Sequence, residues 1–337
     1  MKDLERKLPF RVFGGDNLFD IKEDAGEPLV EGILYKNDFV QLIAEDKQGK
    51  SILCMQMAAS LSSGTPFLGT YEVPEAVPIW YFSHEGKDAE MQGRLQRIQT
   101  LAPVNPDNFQ LFCGSAFRWN EQGNEYVFEW LLETYKDNLP KVIFIDPLYA
   151  ASVGDLNANA AMGDFIKAVR VMAEACDAAV FLVHHMKKNQ RDSEGKHFTR
   201  SDGDGYGSAV FKWAVDSVLY LDTYNYAQGE TYDKKNPDRY LRCNTQRSNK
   251  IADGIRMKLH QDDPLGFYIV DKHLEDQHKL VALLKNNKKG LTNDDMMKLS
   301  KIKKSTFFVV KKELLENGSI RWVADTKPKI FRLKAYI

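Results

Sequence analysis

The stretch from Phe39 to Ser51, FVQLIAEDKQGKS, restricts the fold more than any other part of this chain. An apolar run from Phe39 to Ala44 gives way to a polar loop. SILCMQMAASL then carries apolar residues at helical spacing. Strand, tight loop and helix, in that order, aim loop N–H groups and a helix N-terminus at one point, where an anion is held. Gly49, Lys50 and Ser51 stand where the helix begins. The pattern of a glycine, four residues, then Gly-Lys-Ser/Thr is met except at its first position, where Ala44 replaces glycine. The expected phosphate cradle is Ala44, Glu45, Asp46, Lys47, Gln48, Gly49, Lys50, Ser51 and Ile52. Lys50 would reach the β- and γ-phosphates, and the Ser51 hydroxyl would ligate Mg²⁺. Ala44 keeps the first position small but gives up easy access to positive φ. The plainer alternative is a loop with a chance Gly-Lys-Ser ahead of a helix.

With 337 residues, 43% of them hydrophobic and 28% charged, the chain suits one large globular domain and one small one. MKDLERKLPF lacks the apolar centre of a signal peptide, and no run is long and apolar enough to span a bilayer. Cys54, Cys113, Cys176 and Cys243 lie far apart without metal-ligand spacing, so free thiols are expected. A cytoplasmic protein without a membrane partner follows.

Further along, Val77 to Phe82 is a buried type of strand ending in Ser83-His84-Glu85-Gly86, with a charged helix from Asp88. A carboxylate just past a strand's C-terminal end occupies the edge where open α/β sheets keep their ligands. Glu85 can therefore orient or deprotonate a water. It can equally be a helix-start glutamate favoured by the helix dipole. VIFIDP, residues 142 to 147, brings an acid to the tip of a buried parallel strand. Asp146 is there either as a Mg²⁺-shell carboxylate or as a turn former before proline. Ala178 to Val183 is another such strand, ending in His184-His185. His185 reads as a sensor of the γ-phosphate, or both histidines as ordinary polar residues at a strand end. Residues 149–163 are expected to be a loop, with a helix from Asp164 to Cys176. Residues 189–207 are a long, charged, Gly-rich loop. Antiparallel strands at Tyr240–Thr245, Ile255–His260 and Phe267–Val270 complete an α/β unit with a mixed sheet.

The order of phosphate loop, strand to Glu85, strand to Asp146-Pro147, strand to His184-His185 and basic strand-turn resembles the RecA-like ATPases. Within them it is most similar to the RepA-type branch, the hexameric helicases of plasmids and their phage and mobile-element relatives. The resemblance covers about residues 25 to 270. It implies ATP and Mg²⁺ as cofactors, Glu85 as catalytic glutamate, Asp146 as the Walker B acid and His185 as γ-phosphate sensor. It also implies a homo-oligomeric ring, a hexamer, in which basic residues of one subunit reach the next subunit's phosphates. The matching stretch, QRSNKIADG, assigns Lys250 and Arg247 to that role. Asp46 near the phosphates, Tyr206 where many relatives carry arginine, and Ala44 depart from the family pattern.

From about Leu274 the pattern reads helix, helix, turn, helix and β-hairpin, which resembles a winged helix-turn-helix domain. This end carries 15 Lys and Arg against 7 Asp and Glu. Lys303, Lys304, Ser305 and Thr306 open the expected recognition helix, Lys311 and Lys312 lie further along it, and Lys327 and Lys329 are on the wing. Duplex DNA contact, mainly to phosphates, is one reading. A protein-docking module with a solvated lysine face is the other.

The expected fold class is thus α/β, a RecA-like core with a mixed, mainly parallel central sheet and a small C-terminal winged helix-turn-helix domain. The expected divisions are an arm over 1–28, an ATPase domain over 29–272 and the winged helix over 273–337. The leading functional reading is an ATP-hydrolysing ring helicase or translocase on DNA, with single-stranded DNA meeting the 152–163 and 189–207 loops. A regulator in which ATP sets assembly on DNA, and a scaffold that has lost ATP, are the alternatives.

Overall fold

The computed structural model describes residues 26–114, 116–120, 125–154, 158–185, 214–223, 236–243, 254–270, 272–316, 319–323 and 329–333. Two compact units divide the chain, the first ending at Tyr268 and the second beginning at Ile269. No helix among the described residues is long and apolar enough to cross a membrane.

Residues 29–34, which as sequence admit a strand or a helix, belong to a two-stranded antiparallel ribbon, β1 (Pro28–Val30) with β2 (Leu34–Tyr35). The phosphate-loop strand, β3 (Phe39–Ala44), is buried at all six positions. It lies inside the main sheet, which among the described residues has nine strands. On one side of β3 come β7 (Ala179–His185), β6 (Val142–Asp146), β4 (Ile79–Ser83) and β5 (Phe109–Cys113). On the other come β8 (Ser217–Thr223), β9 (Asp238–Cys243), β10 (Ile255–His260) and β11 (Gly266–Ile269). From β8 across to β5 the strands run parallel, and β9 and β10 then pair antiparallel. This is the mixed, mainly parallel α/β sheet expected from the strand–helix alternation. The chain leaves β3 and returns at β4, skipping the places later filled by β7 and β6. Such a switch in strand order opens a crevice at the C-terminal strand ends.

Helices cover both faces, so strands β3, β4, β6 and β7 are buried throughout apart from the half-buried His185. On one face lie α3 (Glu125–Thr134), the short α4 (Leu148–Ala151) and α5 (Asn159–Cys176), packed on Trp80, Phe82, Ile143, Ile145, Val180 and Leu182. The opposite face carries α1 (Lys50–Ser63) and α2 (Asp88–Ile98). The side-chain period of two along β4 sends Tyr81 to this second face.

The 149–163 stretch differs most in kind from expectation. Residues 149–163 are not one loop: α4 takes the first of them, and α5 begins at Asn159 rather than Asp164. Small residues and Gly163 give this stretch the look of a loop. Met162, however, is buried with Phe165 and Ile166, and that packing recruits an extra helical turn.

The second unit contains α6 (Lys272–Asn286), β12 (Leu291–Thr292), α7 (Asn293–Ser300), α8 (Lys304–Glu316), β13 (Ile320–Trp322) and β14 (Ile330–Leu333). Its strands form an antiparallel sheet with β14 in the middle. Leu280, Leu284, Met296, Phe307, Val310, Leu314 and Phe331 build its core. Thr292 caps α7, accepting from the Asp295 N–H at 3.2 Å while the Asp295 carboxylate accepts from the Thr292 N–H, a reciprocal capping box.

Candidate nucleotide site

The loop after β3 turns through two left-handed residues, Lys47 (φ 62°) and Gly49 (φ 94°). Ala44, the last residue of β3, is not among the positive-φ residues, so the backbone does not require glycine there. The glycine that matters is Gly49. It caps α1 in the left-handed region, and a Cβ on it would lie 2.8 Å from Cζ of Phe267. No side chain caps α1 and no acid stands in its first turn, so its first N–H groups remain available to an anion.

Lys50 is buried, 6% exposed, and its ammonium donates to the carbonyls of Ala44 (3.1 Å) and Glu45 (2.7 Å). It also lies 3.4 Å from Nδ1 of His185. Burial pulls the Lys50 pKa down to about 8, against the pull of Asp146 and Asp46. His185 ends β7 in register with Ala44. Burial and the Lys50 charge lower its pKa to about 4, so the ring is neutral. An ammonium at Nδ1 makes that nitrogen the acceptor and leaves the ring proton on Nε2. Tyr149, in α4, meets the same ring edge-on at 5.0 Å.

Asp146 ends β6 in register with Ser83 at the end of β4. It is 4% exposed, and burial raises its pKa while hydrogen bonds from Tyr81 and Ser51 oppose the rise. The Tyr81 hydroxyl donates to Asp146 Oδ2 at 2.6 Å. Glu85 follows β4 in the turn before α2, exposed, with the Ser83 hydroxyl bonded to its carbonyl at 2.8 Å. Glu85 lies ahead of the first turn of α2. Lys87 is the N-cap of α2, and Asp88 and Glu90 take the first-turn places. Partial desolvation of its otherwise exposed carboxylate, then the charges of Asp146 and Asp46, raise the Glu85 pKa. Asp46 itself is exposed at the loop tip.

Five of the expected residues, Lys50, Ser51, Glu85, Asp146 and His185, thus gather at the C-terminal ends of β3, β4, β6 and β7. Among the described residues no group of three or more His, Cys, Asp or Glu could hold a metal by itself. The donor set nonetheless suits Mg²⁺, which takes one or two protein oxygens and completes its octahedron with phosphates and water. Ser51 and Asp146, already hydrogen-bonded to each other, would supply such oxygens. Arg247 and Lys250 lie outside the described residues, as do the 189–207 loop, Tyr206 and Lys327.

Three supporting residues are not evident in the motifs. Arg239, on β9 and 2% exposed, donates from Nε to the Gln48 carbonyl at 3.1 Å. Gln56, on α1, accepts from the Phe267 N–H at 2.7 Å and donates to the Phe267 carbonyl at 2.9 Å. Tyr81 is the third. A signal exists for Arg239, a charged residue at the inward phase of an alternating strand, and for Tyr81, a hydroxyl inside the apolar run IWYF.

Residues 15–191, just over half of the chain, match the family described as AAA domain. They include the phosphate loop, Glu85, Asp146 and His185. The chain belongs to the AAA domain family. This AAA domain protein shares its fold with a DnaB-like replicative helicase, at TM-score 0.52 and 15% identity, over 70% of this chain and 60% of that one. The chain therefore spans less than two thirds of that helicase. It is similar also to the ATPase domain of another protein, at TM-score 0.50 and 15% identity, covering 70% and 86%. The RadB recombinase aligns at TM-score 0.46 and 15% identity, covering 70% and 92%. No curated protein is detectably similar in sequence. The common ground is the RecA-like α/β fold around the phosphate loop.

In the second unit, Lys303, Lys304, Ser305 and Lys329 are exposed, and Thr306 is half-buried. Lys311 is turned inward. Its ammonium lies over the rings of Phe331 (4.8 Å) and Phe308 (5.0 Å) and donates to Asn293 Oδ1 at 3.1 Å. Lys312 is exposed and faces Glu316 at 3.7 Å.

Proposed function

We propose that this chain is a RecA-like ATPase acting on DNA, a ring-forming helicase or translocase in the replication of a plasmid, phage or other mobile element. The observation that carries the reading is the convergence of Lys50, Ser51, Glu85, Asp146 and His185 at one crevice. Loop N–H groups and Lys50 would hold the β- and γ-phosphates, and Ser51 and Asp146 would hold Mg²⁺ directly or through its water. Bound there, Mg²⁺ neutralises charge developing on the transferring phosphoryl group. Glu85, with its raised pKa, is suited to take a proton from the attacking water. His185, neutral and pressed against Lys50, presents Nε2–H as a donor that responds to the γ-phosphate. Arg247 and Lys250 would complete the site from the neighbouring subunit of a hexamer.

The second unit reads as a winged helix. Exposed Lys303, Lys304 and Lys329, with Ser305 and Thr306, support contact with duplex phosphates, joined by Lys312 and Lys327. Lys311, committed to aromatic rings, contributes stability instead. One observation favours the other reading of this unit, a protein-docking module. Phe308, Val309 and Leu315 are exposed along α8, 41%, 52% and 36% respectively, a surface better suited to protein than to phosphate.

ATP hydrolysis measured without DNA, with single-stranded DNA and with duplex DNA separates the readings, Lys50→Ala serving as the blank. Stimulation by single strands that vanishes in the variant supports the motor. Nucleotide-dependent duplex binding with little turnover supports the assembly reading. Rates equal to the Lys50→Ala blank in all three conditions contradict the motor.

A further inference from the structure

Tyr81 has no part in the motifs, yet its hydroxyl meets both residues assigned to the metal. It donates to Asp146 Oδ2 at 2.6 Å and lies 3.4 Å from the Ser51 carbonyl at the start of α1. The ring is fully buried and stacked between Phe144 (5.5 Å, 18°) and Phe109 (6.4 Å, 16°). Packed this way, the phenol keeps its oxygen beside Asp146, with the Ser51 carbonyl as the more distant second acceptor. Its strand neighbours fix the direction: Tyr81 pairs with Phe144 on the adjacent strand, and Asp146 lies two residues further on, in register with Ser83.

A buried hydroxyl costs free energy unless it is hydrogen-bonded, and phenylalanine would fill the same slot with more apolar surface. The hydroxyl therefore calls for an account, and the carboxylate supplies one. A hydrogen bond from a neutral donor to an ionised acceptor is roughly twice as strong as a neutral pair. Asp146 is removed from bulk water, so each donor it keeps helps set both its charge and its orientation. Partners of this kind, which hold a ligating carboxylate without touching the ion, commonly control metal affinity.

We propose that Tyr81 is a positioning residue for Mg²⁺: by holding one oxygen of Asp146 it fixes the plane of the carboxylate toward Ser51 and the metal shell. The proposal rests on the ATP–Mg²⁺ reading of the site above. It assigns Tyr81 no contact with nucleotide or metal. The role is exerted through the hydrogen bond to Asp146, which separates it from general packing.

Tyr81→Phe retains the ring between Phe109 and Phe144 and removes only the hydroxyl, and a thermal melt confirms that it folds. A fluorescent ATP analogue is titrated into wild type and variant in EDTA and across a Mg²⁺ series. In EDTA the two are expected to bind within about twofold. The Mg²⁺ concentration giving half the metal-dependent gain in affinity is expected to rise about 10- to 100-fold in the variant. In an Asp146→Asn background the same substitution is expected to change nothing further. An unchanged Mg²⁺ midpoint overturns the proposal. So does an equal loss of affinity in EDTA and in Mg²⁺, which marks a packing role, and so does an additive effect on Asp146→Asn. If the wild type does not bind the analogue at all, the ATP reading fails first and takes the proposal with it.

Discussion

Arg239 donates from Nε to the main-chain carbonyl of Gln48 at 3.1 Å, so a residue of the antiparallel half of the sheet holds the phosphate loop. Arg239 is 2% exposed, and its guanidinium also donates to the carbonyls of Asn236 and Asp238. Arg239→Met fills much the same volume but leaves the buried Gln48 carbonyl without this donor. Leaving one buried polar group unsatisfied costs about 1–3 kcal/mol. The expected result is a stability loss of that order in urea denaturation, together with weaker ATP-analogue binding. Wild-type stability and affinity would show that the loop holds its shape unaided.

Gly49 is constrained twice, by a φ of 94° and by Phe267 Cζ lying 2.8 Å from where a Cβ would be. Gly49→Ala is expected to abolish analogue binding and to destabilise the protein. The left-handed conformation alone costs an alanine about 1–2 kcal/mol. Adding Phe267→Leu removes the ring but not the backbone strain. The double variant should therefore recover only part of the lost stability in thermal melts. Full recovery would mean that the ring contact is the whole effect.

Gln56 clasps Phe267 through both of its amide atoms, bonding the first helix after the phosphate loop to the last strand of the sheet. Gln56→Leu should cost about 1–3 kcal/mol for each main-chain group it leaves unpaired. Gln56→Glu keeps an acceptor for the Phe267 N–H but brings a buried charge, and should be no more stable than Gln56→Leu above pH 7. Equilibrium denaturation decides, and near-neutral changes in both variants would contradict the clasp.

The histidine next to Glu85 gives a pH test. His84 is 2% exposed, lies near-parallel to the rings of Phe82 and Phe117, and accepts from Trp119 Nε1 at 3.2 Å. Burial, helped by the Arg118 charge, lowers its pKa from 6.5 to about 4. Between those values the unfolded chain binds more protons at this position than the folded one. The His84 contribution to stability is therefore whole above pH 6.5 and is lost as pH falls toward 4. Asp38, raised to about 6, Asp146 and Glu85 act in the opposite sense, and His185 acts in the same sense. The wild-type curve alone is thus not diagnostic. The difference between wild type and His84→Gln is: wild type should lose ground to the variant as pH drops from 6.5 to 4. A difference independent of pH would mean that His84 is not held neutral by the fold.

These tests fall mostly on residues that the motifs do not mark, and the reason is physical. Lys50, Ser51, Asp146 and His185 are legible because each stands at the tip of an apolar strand or the start of a helix, and that local pattern survives in the sequence. Whether Glu85 stands inside the helix is not readable until α2 is seen to begin at Asp88 with Lys87 as its cap. Arg239 and Gln48 are 191 residues apart, and Gln56 and Phe267 are 211 apart. No local period reports pairs at that separation. The first turn of α5 escapes notice for a related cause, since the burial of Met162 in the core, which helps hold this turn, depends on residues distant in sequence.

On the proposed reading, Glu85 activates water at a site where Lys50, Ser51 and Asp146 hold ATP and Mg²⁺. The most direct test is phosphate release by Glu85→Gln beside wild type, with analogue affinity measured on the same samples. Hydrolysis is expected to fall about 10²- to 10⁴-fold with affinity retained, the range expected for loss of a positioned general base. Hydrolysis at the wild-type rate in Glu85→Gln would contradict that reading.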